Sequence, residues 1–174
     1  MLADLVDLFE YPLSRLLGAL FVGLDPQETY SVALLEIEPD LPEGVVEQTV
    51  SAHRGACHRI AASVVMGVFG GMPNDAVHCS TALGERARVH GGTVRGAIHR
   101  GLMRDRVSDF VEYVPRVTAE LAELAVPGQV LLTNAVLDSL TDGAGGETAF
   151  VGMIAVRGSM LGVFELRPAE RSGG

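Results

Sequence analysis

Five histidines and two cysteines are the side chains best suited to bind a transition metal. His53, Cys57 and His58 crowd into the word HRGACH, and His78-Cys79 form a second pair. HRGACH has the composition of a strand and its turn, and neighbours on a strand point to opposite faces. Cys57 and His58 therefore do not converge, and no metal centre is expected from them. A cysteine on an apolar face serves core packing. Gly70-Gly71 and Gly91-Gly92 are turns, since no Gly-Lys-Ser/Thr of a phosphate loop follows either. No Ser-His-Asp arrangement can be argued. In PRVTAEL, Arg116 and Glu120 stand four apart, a spacing at which they pair on one helix face.

The elements that must position such residues follow from apolar spacing. Residues 1–28 are expected as a helical segment. Met1–Leu24 breaks near Pro12, and Leu16–Leu24 is very apolar. Docking on its own domain is the plain reading and an oligomer contact the next. A membrane-surface helix suits it least, because such helices carry Lys and Arg on the polar face. Tyr30–Glu38 reads as a buried strand, with an almost continuous apolar centre. A loop (Pro39–Gly44), a helix (Val45–Ala52, with Val45, Val46 and Val50 inward) and a strand with its turn (His53–Ala62) follow. Val64–Phe69 is a second buried strand. Asn74 or Asp75 is expected to cap a helix over Ala76–His90.

Gly92–Tyr113 reads as a β-hairpin. Thr93, Arg95, Ala97 and His99 point one way, and Val94, Gly96, Ile98 and Arg100 the other. Gly101–Asp105 leads to a second extended run, Arg106–Tyr113. Pro115 suits the first turn of a helix, where its missing N–H has no partner to lose. Val114, Val117, Leu121 and Leu124 then make one apolar face. Pro127-Gly128 turns the chain into the strand Val130–Thr133. A short helix (Ala135–Leu140), a flexible turn (Asp142–Gly146) and two strands (Thr148–Val156, Met160–Leu166) close the chain. The order is β-α-β-β-α-β-β-α-β-α-β-β: one α+β domain, a mixed sheet covered by helices.

The words GAIHRG and AVPGQVLLT, with VVMGVFG upstream, resemble the class III nucleotidyl cyclase domain. The resemblance runs over roughly Ser31–Glu170. In that family a strand ending in Gly-x-His-x-Gly precedes a hairpin, then a helix carrying catalytic residues, then Pro-Gly-Gln. It implies a ferredoxin-like core with additions and a cyclase homology domain at 29–170; the terminal Arg171-Ser172-Gly173-Gly174 is expected as a loose tail. The resemblance also implies a chemistry, closure of a nucleoside triphosphate's 3′-hydroxyl onto its α-phosphate. Two metal ions held by two carboxylates drive that step in a head-to-tail dimer.

Placed on the family pattern, the site is depleted. The first metal carboxylate, in words like FADI, falls on Glu36 of LLEI. The second, in words like KFIGDGVMAVFG, falls on Ser63 of RIAASVVMGVFG, and a neutral hydroxyl does not replace an anionic ligand for Mg²⁺. The Asn and Arg of VNLAARL fall on Arg116 and Glu120, and Glu120 reverses the charge where a cation should meet phosphate. Between Glu36 and Ser63 there is room for one helix. The family has more there, including one whose N-terminus receives the phosphates. The base-selecting positions fall on Arg59 and Asp109, which could read a purine edge or form a plain salt bridge. His99 matches the family's strand histidine, a structural position.

At 174 residues and 48% apolar, the chain is sufficient for one packed core. A net charge of −9 argues against a nucleic-acid partner, which calls for a basic face. Cys57 and Cys79 form no CxxC, so no disulfide framework is expected. Asp4, Asp7 and Glu10 stand where a signal peptide is basic. Leu16–Leu24 is too short to span a bilayer, which takes ~20 residues. The expectation is a cytoplasmic protein. The leading reading is a degenerate cyclase homology domain, a homodimeric signalling or regulatory module with no intact catalytic set and no cofactor. A small molecule or nucleotide in the residual cleft is part of that reading. The alternatives are a divergent active cyclase, which would use Mg²⁺ or Mn²⁺ through Glu36, and an oligomerisation module built on Met1–Leu24.

Overall fold

The strand TYSVALLEIE is apolar on both of its alternating faces, so it needs cover on both sides. It lies at the centre of the computed structural model as β1 (Thr29–Glu38). The structure describes residues 25, 28–42, 44–102, 107–141, 146–156 and 158–167, and of 107–112 the backbone alone. The expected leading helix, the body of the 142–146 turn and the tail lie outside the described residues. After β1 come α1 (Val45–Ala52), β2 (Gly55–Arg59), β3 (Val64–Gly70), α2 (Asn74–Val89), β4 (Thr93–Leu102), α3 (Val107–Leu124), β5 (Val130–Thr133), α4 (Asn134–Leu137), β6 (Glu147–Val156) and β7 (Ser159–Arg167).

The strands make one mixed sheet in the order β2-β3-β1-β4-β5-β7-β6. Only β4 and β5 run parallel, with α3 as their crossover. Two cores cover the two faces. Val32, Leu34, Val64, Met66 and Ala97 pack under α3 through Val114 and Leu121. Ala33, Leu35, Val65, Phe69 and Ile98 pack under α1 and α2 through Val46, Val50 and Leu83. The alternation expected along β4 is observed, since Ala97 belongs to the first core and Val94 and Ile98 to the second. A fully buried Leu such as Leu34 contributes about 1.5–3 kcal/mol by leaving water.

The second arm of the expected hairpin is corrected. The described part of Arg106–Tyr113 is helix, the first two turns of α3, and Arg106 itself lies outside the described residues. Pro115 is therefore interior to a helix of 18 residues instead of opening one. The cause is periodicity over a longer window. Val107, Phe110, Val111, Val114, Val117 and Leu121 recur at three- and four-residue intervals. The described part of this stripe, Val114, Val117 and Leu121, is buried and offsets the roughly 3 kcal/mol that an interior proline costs. Leu124, assigned to the same face, is 58% exposed at the fraying end. The expected cap is also corrected, because α2 has Pro73 at its N-cap and no side-chain cap. Asn74 instead donates to Thr141, and Asp75 pairs with Arg54 at 2.9 Å. The short helix α4 starts one residue earlier and ends three sooner than expected.

Candidate functional site

Glu36 sits near the end of β1, on the α3 side with Val32 and Leu34, and is 2% exposed. A carboxylate so deeply buried needs a partner of opposite charge. The β1–β4 register supplies it by placing Arg95 directly opposite. Arg95 Nε donates to Glu36 Oε2 at 2.7 Å, and Nη2 lies 2.5 Å from the same oxygen as an ion pair. Arg95 Nη1 reaches the Ala125 carbonyl at 3.4 Å, which ties the pair to the end of α3.

Ser63 lies beside Glu36 on the other flank. Its carbonyl accepts the Ile37 N–H at 2.8 Å, and Glu36 pairs with Val64 across the β1–β3 ladder. Its hydroxyl is buried and makes no hydrogen bond. The sheet thus brings together the two positions assigned to metal ligands, as one neutralised carboxylate and one hydroxyl. Hard divalent cations take several anionic or carbonyl oxygens. No cluster of three or more His, Cys, Asp or Glu able to hold a metal is found among the described residues. Among the described residues, Glu36 and Ser63 together do not offer the donor set of a two-metal centre.

The remaining assigned residues are distributed as follows. Arg116 and Glu120 lie one turn apart on α3, both half-buried, and neither is free of partners. Arg59, at the end of β2, donates to Asp40 at 3.1 Å, to Glu47 at 3.2 Å and to the Ala62 carbonyl at 2.6 Å. Burial works against its charge, but these acids outweigh it and raise its pKa. Its guanidinium thereby pins β2 to the β1–α1 loop and to α1. Asp109 is placed on the helical backbone of α3, with its side chain outside the described atoms.

His99 is 3% exposed and shares a 2.9 Å hydrogen bond between Nδ1 and Thr133 Oγ1. Burial pushes its pKa down to about 4, so it is neutral at pH 7. The Tyr113 ring meets it edge-on at 6.0 Å. Cys79 is buried and its thiol is pushed up to about 12, mainly by desolvation, which leaves it without nucleophilic character. Cys57 packs against the core under α1 and α2. Arg95 is the residue that sequence reasoning missed. It was placed on a face with Ala97 and His99, and an arginine on that apolar face was the available signal that an acid must lie opposite.

No protein-family model matches the sequence, and no curated protein matches it. Solved structures do. Two structures of adenylate cyclases from Trypanosoma brucei in their monomeric state superpose with a TM-score of 0.64 each. They share 17% and 19% identity, over 83% and 88% of this chain and 92% and 94% of theirs. The adenylyl cyclase CyaB from P. aeruginosa superposes with a TM-score of 0.57 at 14% identity, over 84% of this chain and 97% of that one. The fold is that of class III adenylate and guanylate cyclase catalytic domains. No helix among the described residues is long and apolar enough to cross a membrane.

Proposed function

We propose that this chain is a cyclase-like domain without cyclase chemistry, working as a homodimeric regulatory or signalling module in the cytoplasm. One observation carries the reading: the Arg95 guanidinium holds the Glu36 carboxylate, the first of the two metal-ligand positions. Cyclisation by the family's chemistry needs open carboxylates to bring cations to the 3′-hydroxyl and the α-phosphate. Here Glu36 already has an internal cation, and Ser63 brings no charge. Glu120 stands on the helix where the family uses a cation to meet phosphate, so that cation is missing. Arg59, engaged by Asp40 and Glu47, is the cation nearest to a base-reading role, with Asp109 as its assigned partner. A small ligand in that cleft belongs to the same proposal. Free cysteines at Cys57 and Cys79 suit a reducing compartment.

The test is calorimetric titration of the whole chain with ATP and GTP, with and without Mg²⁺ and Mn²⁺, alongside an assay for cyclic nucleotide. The expected result is no metal-dependent heat and no cyclic product. Metal-dependent triphosphate binding with turnover overturns the reading in favour of an active cyclase. Sedimentation equilibrium addresses the assembly, with a dimer expected and a monomer at all concentrations counting against the module.

A further inference from the structure

Glycine inside a helix costs about 1 kcal/mol against alanine, so its presence calls for a physical reason. Gly84 stands inside α2. Two reasons account for other glycines nearby. Gly128 has a positive φ of 86°, and a Cβ at Gly92 would collide with the Glu38 carbonyl. Neither applies to Gly84, whose φ is ordinary and whose Cβ would meet nothing within 4 Å. What its missing side chain leaves open is a cleft of about 230 Å³ between α2 and the sheet.

The floor of the cleft is apolar. Val94, Val130 and Leu166, from β4, β5 and β7, line it and are only 4%, 8% and 9% exposed. Benzene enters a dry cavity of about 150 Å³, so there is room for a ring or short chain. Polar groups on α2 border the floor. The Ser80 and Thr81 hydroxyls are spent on the Ala76 and Val77 carbonyls of their own helix. Glu85 has a polar partner of its own. Arg88 lies one turn beyond Gly84, is exposed, and makes no ion pair among the described residues. This cleft is on the α1 and α2 side of the sheet, the face opposite Glu36.

We propose that the cleft between α2 and strands β4, β5 and β7 binds a small apolar molecule bearing one carboxylate. Its apolar part rests on Val94, Val130 and Leu166, and its acid group meets Arg88. Gly84 keeps the entrance clear. The inference is independent of the Glu36 site and of whether that site is active.

The experiment titrates the full chain with 3-phenylpropanoate and with its uncharged counterpart, 3-phenylpropan-1-ol. Both bind saturably, and the acid binds about 1.4- to fivefold tighter, the margin an exposed ion pair supplies. Arg88→Gln brings the acid down to the alcohol's affinity. Gly84→Leu fills the cleft and abolishes both, with a melting temperature equal to or above that of the parent. Absence of saturable binding, or unchanged affinity in Gly84→Leu, overturns the site. An acid preference that survives Arg88→Gln overturns the assigned contact. If Gly84→Leu does not fold, amide shift mapping of the parent protein decides. Shifts at Gly84, Arg88 and Val130 support the cleft, and shifts confined elsewhere overturn it.

Discussion

Replacing Arg95 with methionine removes the charge while keeping most of the apolar stem, and leaves Glu36 as a 2% exposed carboxylate with no cation against it. Breaking a buried pair from one side costs about 3–5 kcal/mol, because the remaining charge stays desolvated. For a chain of this length each kcal/mol moves the melting temperature by about 2–4 °C, so a fall of roughly 6–20 °C is expected. Removing both charges is a different perturbation. Well-packed apolar replacements of a buried ion pair are often neutral or stabilising. The double variant Glu36→Leu/Arg95→Met should therefore lie within about 2 kcal/mol of the parent, far from the sum of the two single variants. Urea unfolding at pH 7, followed by circular dichroism, gives the four free energies of the cycle. A loss below about 1 kcal/mol in Arg95→Met would be the behaviour of a surface pair. That result, or simple additivity in the double variant, would refute the reasoning. It would also remove the basis for calling the metal position closed.

The family's charges can be restored and should still fail. The triple variant Ser63→Asp/Arg116→Asn/Glu120→Arg is expected to yield no cyclic nucleotide, since Glu36 remains bound to Arg95 and one helix alone, α1, separates it from Ser63. Detectable product by mass spectrometry would show the spacing argument wrong. Opening the site is expected to admit a cation. Mn²⁺ should raise the melting temperature of Arg95→Met/Ser63→Asp and leave the parent unmoved; equal responses would refute the closure. His99 sets a pH dependence. Its folded pKa of about 4 lies below the ordinary 6.5, so the unfolded chain binds the extra proton between these values. Stability from this residue is complete above pH 6.5 and is lost as pH falls toward 4, by about 3 kcal/mol in all. A His99→Gln variant should lose that slope in urea titrations across pH 4–7, and an unchanged slope would assign it elsewhere.

Much of the architecture was legible because local pattern and tertiary demand agree. The helix α1 and the strand β5 were read residue for residue, and β1 and β3 stood out as apolar runs that only a doubly covered sheet accommodates. The reading failed at 107–113, where valine, phenylalanine and tyrosine imitate a strand in a short window. Their helical spacing shows only when the stripe is followed through Pro115 to Leu121. The candidate site was half legible. Glu36 and Ser63 could be picked out by resemblance of their words, but their adjacency depends on the β1–β3 register. The Glu36–Arg95 pair spans 59 residues of sequence, and only the β1–β4 register brings its members together. Helix spacing is written within a few residues, whereas sheet register is settled by the whole fold.

The place of β1 in the sheet also bears on how the protein is made. The central strand is the first described strand to leave the ribosome, yet its partners come much later. β3 spans Val64–Gly70 and β4 spans Thr93–Leu102. At bacterial or eukaryotic elongation rates of roughly 5–20 residues per second, TYSVALLEIE waits several seconds before both edges are paired. During that interval the nascent chain displays a ten-residue strand segment with the apolar run Val32–Leu35 at its centre and open hydrogen-bonding edges, the kind of segment that self-associates. The burden falls on the cell's chaperones and on the pace of translation between the codons for β1 and β4.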